Sequence, residues 1–365
     1  MNYSKLILAA ITALLFVSCS DDDSDAGRRA PLGSYDYGVL VLNEGNFTSD
    51  NASVSYISED FSVVQNDVFS IVNDEDLGDV AQSIGFYNEL AYIVVNNSNS
   101  IQVVNRYTFK KVSKITADIN NPRYIAFANG KGYVTNWGDP TNTNDDYVAV
   151  INLSTNAVSS KIPVVEGPER ILENAGKLYV SHIGGYGFGN SVSVVSNDAL
   201  STNITVGDLP DELNIIDGNL WVSCKGRPNY AAAGETAGKF VKVNLSTNTV
   251  SGSLEFPTTT ALTHLGKTAA SGSEIFYNIG SKIYKVSSSA TVLPSSPLFD
   301  AVGQNVSSVY GFAVNNSRIY IANAFGFDVS GKVHVYTSGE NGTAAGDLLQ
   351  TIGVGVGPSG FYFNQ

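Results

Sequence analysis

The sequence predicts an all-β fold, a seven-bladed β-propeller whose ring is closed by the C-terminal strand joining the N-terminal blade. Three observations predict it: strand and turn chemistry along the chain, a unit of about 45 residues that recurs seven times, and an orphan copy of one repeat element at the C-terminal end.

The composition comes first. Thr, Val, Tyr, Ile, Asn and Gly dominate, with 19 Tyr, 17 Phe and 35 Gly, and no long runs of Ala, Leu, Glu and Lys fall at helical spacing. Within each unit a short Tyr/Val-rich strand leads through a polar or Gly-rich loop to a strand that alternates Val with small residues. A turn, a third strand, a Pro-containing loop and a fourth short strand follow. The third and fifth copies are clearest. Gly132-Tyr133-Val134-Thr135-Asn136 precedes Val148-Ala149-Val150-Ile151-Asn152, and Leu220-Trp221-Val222-Ser223-Cys224 precedes Val241-Lys242-Val243-Asn244. The string Asn-Leu-Ser-Thr-Asn begins at 152 and again at 244, a gap of 92, or two repeats of 46. It suits a hairpin because these side chains bond local backbone groups and Asn tolerates the left-handed conformation. Unit starts fall at Gly38, Leu90, Lys131, Lys177, Asn219, Glu274 and Arg318, with gaps of 52, 41, 46, 42, 55 and 44. Loops at 67–79 and 258–272 are expected to absorb the longer gaps.

Closure follows from the ends of the array. Each internal unit is entered through an element such as Asn121-Pro122-Arg123-Tyr124-Ile125-Ala126-Phe127, read as an entering loop. The chain ends on the same element, Gly357-Pro358-Ser359-Gly360-Phe361-Tyr362-Phe363, whereas the first unit begins at Gly38 without one. The last strand should complete the first blade and remove the free sheet edges of an open array.

The termini and charge bound the setting. Lys5 and an apolar run at 6–17 end at Val17-Ser18-Cys19, which resembles a bacterial lipobox; the run has the length of a signal-peptide core. Residues 1–18 are therefore expected to be a lipoprotein signal peptide. Residues 19–35 would be the lipidated Cys19 and a disordered acidic tether, and 36–365 the propeller. The run Asp21-Asp22-Asp23-Ser24-Asp25 resembles the surface-export signal of Bacteroidota-type lipoproteins, which implies an outer-membrane, lipid-anchored, surface-exposed protein; display on the periplasmic face is the alternative. With Cys19 lipidated, Cys224 has no partner, so no disulfide framework holds the fold. The net charge of −13 argues against nucleic-acid binding. No second long apolar stretch suggests a transmembrane helix.

Tyr133-Val134-Thr135-Asn136 is the signature of the YVTN-repeat, or YncE-like, β-propellers, and Tyr179-Val180-Ser181-His182 and Tyr320-Ile321-Ala322-Asn323 are degenerate copies. The opening Val41-Leu42-Asn43-Glu44-Gly45-Asn46-Phe47 resembles the start of Bacteroidota surface-lipoprotein propellers, a group that includes the cobalamin-capturing lipoprotein of outer-membrane vitamin uptake. The resemblance covers 36–365. It implies a non-enzymatic, monomeric protein without a cofactor, which captures a nutrient such as cobalamin or another corrinoid for an outer-membrane TonB-dependent transporter. A protein-interaction or surface-layer scaffold, and a propeller lactonase or lyase, are the alternatives.

Candidate binding residues lie in loops expected to open on one face. The loops after each first strand supply Asn43, Glu44, Asn46, Phe47, Trp137, Asp139, Tyr186, Phe188, Arg227, Tyr230 and Phe325. The entering elements add Arg123, Arg170 and Tyr310, with Gln82, Glu169, Asp211 and Glu212 beside them. Aromatics next to Gly and amides suit a large, flat, amide-decorated ligand. Glu44 has a second role open to it, tying the first blade to the last. Glu169, Asp211 and Glu212 could line a channel mouth and bind a cation or act as acid and base, or they could satisfy backbone donors. His182, His264 and His334 stand in separate units without metal-ligand spacing, so no metal site is expected. His182 and Cys224 share the last position of the repeated strand, where a hydrogen-bonded imidazole and a buried, inert thiol are expected.

Overall fold

The computed structural model describes residues 29–139, 141–256, 262–340 and 343–364. The signal segment 1–18, Cys19 and the acidic run after it lie outside the described residues.

Each of the seven starts read from the sequence begins a strand: Gly38–Asn43, Leu90–Val95, Lys131–Asn136, Lys177–His182, Asn219–Cys224, Glu274–Ile279 and Arg318–Asn323. Each is the second strand of a four-stranded antiparallel sheet, and the seven sheets are the blades. In the third blade the order from the inside outward is Pro122–Ala128, Lys131–Asn136, Tyr147–Asn152 and Ala157–Pro163. Neighbouring innermost strands meet around the ring. The final strand, Pro358–Asn364, pairs with Gly38–Asn43 as the innermost strand of the first blade, as the orphan C-terminal element predicts.

The element read as an entering loop is in fact this innermost strand. Pro122–Ala128, Pro168–Asn174 and Pro210–Ile216 all pair with the second strand of their blade. The leading proline is tolerated because it occupies the first residue of an inner-edge strand. The loop expected at 67–79 likewise carries a short helix, Val68–Asn73. The outermost strand of blade 1 is only Val64–Gln65, and Val68 and Phe69 fill the core beside it. The tether expected through residue 35 also ends sooner. Tyr35 is buried and meets the edges of Tyr56 and Phe109 at 5.4 and 5.6 Å.

The repeat pattern has a simple packing cause. Successive strand residues point to opposite faces, and each face of a blade meets a neighbouring blade. Val134 packs towards blade 2, with Tyr92 and Val94, whereas Tyr133 packs towards blade 4, with Leu178 and Val180. The second strands are therefore apolar on both faces, and seven core clusters fill the seven gaps between blades. Outer strands such as Ala157–Pro163 are mostly exposed. The tyrosines staple the ring: Tyr133 Oη donates to Asp198 of blade 4 at 2.7 Å and Tyr92 Oη to Asn156 of blade 3 at 3.0 Å. In the repeated turn, Asn152 Oδ1 accepts from the N–H groups of Ser154 and Thr155. Asn244 Oδ1 does the same for Ser246 and Thr247, and Asn156 and Asn248 take φ of 50° and 53°. Among the described residues no helix is long and apolar enough to cross a membrane.

Candidate functional site

The innermost strands carry their charged residues at the channel mouth, near where they begin. Arg123 makes a two-pronged ion pair with Glu169, Nε–Oε2 and Nη2–Oε1 both at 2.8 Å. Arg170 reaches Asp211 at 3.1 Å and Glu212 at 2.5 Å, and Lys225 reaches Asp211 at 2.5 Å. The two arginines also lie over aromatic rings, Arg123 above Trp137 at 4.2 Å and Arg170 above Tyr124 at 4.0 Å. Gln82 Nε2 donates to Tyr124 Oη at 3.0 Å. Burial works to raise the Asp211 carboxyl, but Lys225 and Arg170 outweigh it and hold the group well below the usual carboxylate range. Burial raises Glu212, with Arg170 only partly opposing it. Each of the three acids is thus paired with at least one cation.

Several residues expected on the rim instead organise it. Asn43 is fully buried, its amide nitrogen 3.1 Å from Ser53 Oγ and 3.0 Å from Ser55 Oγ. The same end-of-strand position recurs as a staple: Asn136 Oδ1 accepts from Asn120 N–H at 3.1 Å, and Asn323 Nδ2 donates to Asn305 O at 3.0 Å. His182 and Cys224 occupy this position too. Ser193 Oγ donates to Asn203 Oδ1, so His182 Nε2, 2.7 Å away, is the donor to Ser193. Burial pushes this imidazole down to about 4 and the Cys224 thiol up to about 12. Glu44 ties the first blade to the last: its N–H donates to Gly357 O at 2.8 Å and its carboxylate accepts from Tyr310 Oη. Burial raises that carboxyl, with the Tyr310 hydroxyl opposing. The Asn46 N–H donates to Asn51 Oδ1 at 2.7 Å, and Asp139 Oδ1 accepts from Thr141 N–H at 2.9 Å. Arg227 braces its own loop, donating to Asp208 Oδ1 at 2.9 Å and Gly234 O at 3.0 Å.

The most accessible candidates are aromatic. Phe47, Tyr186 and Tyr230 are 71, 73 and 80% exposed, Phe188 and Phe325 are less so, and Trp137 is half-buried. Trp137, Tyr186, Phe188 and Tyr230 form an arc across blades 3 to 5, with ring centroids 6.0 Å apart for Trp137–Tyr186 and 6.3 Å for Phe188–Tyr230. The arc is held firmly. Trp137 Nε1 donates to Pro168 O at 3.0 Å. The Tyr186 loop turns at Gly184, φ 94°, where any Cβ would collide with Gly189 N. Phe325 and the Tyr310–Phe327 pair, at 4.9 Å, belong to blade 7 and its approach. The histidines do not converge: His264 pairs with Glu235 at 2.9 Å and His334 Nδ1 with Thr351 Oγ1 at 3.0 Å. Among the described residues no three His, Cys, Asp or Glu side chains form a group suited to a metal ion.

Sequence reasoning missed Lys267, Tyr124 and Tyr362 in the channel. The signal for Lys267 was positional: it stands seven residues before Glu274, as Arg170 does before Lys177 and Glu212 before Asn219.

The sequence profile of a domain of unknown function, DUF5074, matches residues 37–337. The chain belongs to the DUF5074 family. The match ends inside the third strand of blade 7, Ser330–Ser338, so the closing strand of this DUF5074 propeller lies beyond it. No curated protein matches the chain. Among solved structures, the DUF5074 propeller is similar to a functionally unknown protein from Desulfotomaculum acetoxidans, at 11% identity and TM-score 0.62, over 89% of this chain and 98% of that one. It is similar to a protein from Bacteroides fragilis provisionally named a 6-phosphogluconolactonase, at 12% identity and TM-score 0.60, over 91% and 99%. Hydrazine synthase from Kuenenia stuttgartiensis is similar at 14% identity and TM-score 0.57, over 74% and 85%. At these identities the likeness establishes the propeller fold and nothing finer.

Proposed function

We propose that this DUF5074 propeller is a non-enzymatic ligand-binding lipoprotein, anchored to the outer membrane through Cys19 and displayed at the cell surface. It captures a bulky, flat, amide-bearing nutrient, a corrinoid such as cobalamin, and passes it to a TonB-dependent transporter. The observation that carries the reading is the arc of Trp137, Tyr186, Phe188 and Tyr230. Exposed rings on braced loops offer large contact area at little entropic cost, and the amides and hydroxyls around them can orient a ligand. The acids of the channel mouth are neutralised by Arg123, Arg170 and Lys225, so they are poorly placed for acid–base work. The YVTN strands, the Asn-Glu-Gly-Asn opening and the lipobox support the choice of ligand and location.

Calorimetric titration of cyanocobalamin and cobinamide into the chain from Asp25 onward tests it. The expected result is stoichiometric binding that Trp137→Ala and Tyr186→Ala each weaken at least tenfold. Absence of heat and of any thermal shift with both ligands removes the corrinoid reading and leaves the arc as a docking face for a protein. Labelling of the intact chain with radioactive palmitate, abolished by Cys19→Ala, tests the anchor.

A further inference from the structure

The cations of the channel are unequally matched. Arg123, Arg170 and Lys225 each have a carboxylate at 3.1 Å or closer. Among the described residues Lys267 has none within ion-pair distance, and its Nζ lies 5.9 Å from the Tyr310 ring centroid, at the outer limit of a cation–π contact. An unmatched lysine inside the ring is anomalous in a chain with net charge −13. It is also held in place, since its N–H donates to Asn278 Oδ1 at 2.6 Å and its carbonyl accepts from Asn278 N–H at 3.2 Å.

Lys267 lines a cavity of about 280 Å³ inside the ring, and the cavity arises from an asymmetry in side-chain size. Blades 3 and 4 fill their share of the channel with Arg123, Tyr124 and Arg170. Blades 6, 7 and 1 contribute Ala269, Ala313 and Gly360 at the corresponding lining. The space is slightly below the roughly 300–1,000 Å³ typical of small-molecule pockets, and Phe312 and Tyr362 put two aromatic residues into a lining that is otherwise largely polar.

We propose that the central channel binds a small monocarboxylate, its carboxylate on the Lys267 ammonium and its apolar part against Phe312 and Tyr362. One unmatched cation calls for one negative charge. Arg170 also lines the cavity, but it is already committed to Asp211 and Glu212. Bringing an anion to the half-buried Lys267 ammonium gives it the ion-pair partner it lacks among the described residues. Burial, reinforced by Lys225 and Arg170 against the attraction of Asp211, lowers the Lys267 pKa, which is the direction expected of an ammonium awaiting a counter-charge. This site lies inside the ring and does not rest on the corrinoid reading.

The test is calorimetric titration of purified full-length protein with benzoate, acetate, inorganic phosphate and benzamide. Benzoate should bind saturably, acetate more weakly, and neutral benzamide not at all. Lys267→Met should weaken benzoate at least tenfold. Ala269→Leu, which keeps the charge and fills the cavity, should do the same, so the proposal stays decidable even where the lysine variant folds poorly. Benzoate without saturable heat overturns the proposal. So does wild-type affinity in Ala269→Leu, and phosphate binding tighter than benzoate overturns the monocarboxylate class.

Discussion

The Arg123–Glu169 pair offers a quantitative test of how the channel is held. The side chains are 16 and 7% exposed, and both prongs are 2.8 Å long, so the pair is buried and geometrically good. Arg123→Met leaves the Glu169 carboxylate buried without its partner; Glu169→Leu leaves the guanidinium so. Removing one member of a buried pair costs about 3–5 kcal/mol, whereas replacing both with apolar residues of similar volume is often neutral. Unfolding entropy near 2.1 cal/mol/K per residue gives roughly 0.7 kcal/mol per kelvin for a propeller of this size. Each single variant should therefore melt about 4–7 °C lower, and the double variant within about 2 °C of the parent. Thermal melting measures these shifts, and equilibrium urea unfolding followed by tryptophan fluorescence measures the free-energy losses. It also reports Trp137 directly, since Arg123→Met strips the guanidinium from 4.2 Å above that ring. Single-variant losses below about 1 kcal/mol, the range of exposed pairs, would refute the argument that these channel charges are desolvated.

Three further outcomes follow from residues already placed. Burial holds the His182 imidazole near 4, below its ordinary 6.5, so the unfolded chain takes up the proton first as pH falls. Stability should drop between pH 6.5 and 4 by up to about 3 kcal/mol on this account, and His182→Asn, which restores the residue found at 136 and 323, should show a shallower melting-temperature profile; parallel profiles would remove His182 as the cause. With its thiol at about 12 and no exposure, Cys224 should resist a thiol reagent in the native state and react fully in denaturant; rapid native labelling would contradict its burial. Asn364 Nδ2 donates to Tyr35 O at 2.6 Å and Arg106 O at 2.9 Å, and Arg106 Nε donates to its Oδ1. Asn364→Ala should cost about 3 kcal/mol or more in urea unfolding, at about 1–3 kcal/mol per orphaned buried group, and a loss below 1 kcal/mol would show that the closing strand holds without this clasp.

The propeller was legible in the sequence because its repeat is a packing rule. A second strand squeezed between two blades must be apolar on both faces, so Tyr133-Val134 and its copies stand out whatever the loops contain. The turn chemistry of Asn152 and Asn244 was legible for the same local reason. The innermost strand was harder to see. Pro122, Pro168 and Pro210 mark loops in most contexts, and only the missing neighbour on the channel side lets a strand begin on one. The rim was half legible. Phe47, Tyr186 and Tyr230 are indeed outward, but Asn43 and Arg227 are consumed by contacts to residues 10 and 19 positions away, and linear spacing does not announce those. Lys267 was hidden because its unit lacks the Pro-Xaa opening, and its blade-mate partners are absent rather than present.

The division between matched and unmatched groups decides where a ligand can act. Recruiting Arg123 or Arg170 to a ligand means dissolving a buried ion pair, at about 3–5 kcal/mol, which any new contact must first recover. The same holds for Glu44, Asn43 and Arg227, each already bonded within the ring or its own loop. The aromatic arc requires no ion pair to be dissolved, and covering Tyr186 and Tyr230 removes apolar surface from water at about 25 cal/mol per Å². Lys267 is the complementary case, a half-buried ammonium with no carboxylate within ion-pair distance among the described residues. On the proposed readings, recognition therefore falls on groups that the ring leaves accessible, the aromatic arc and, among the described cations of the channel, the Lys267 ammonium.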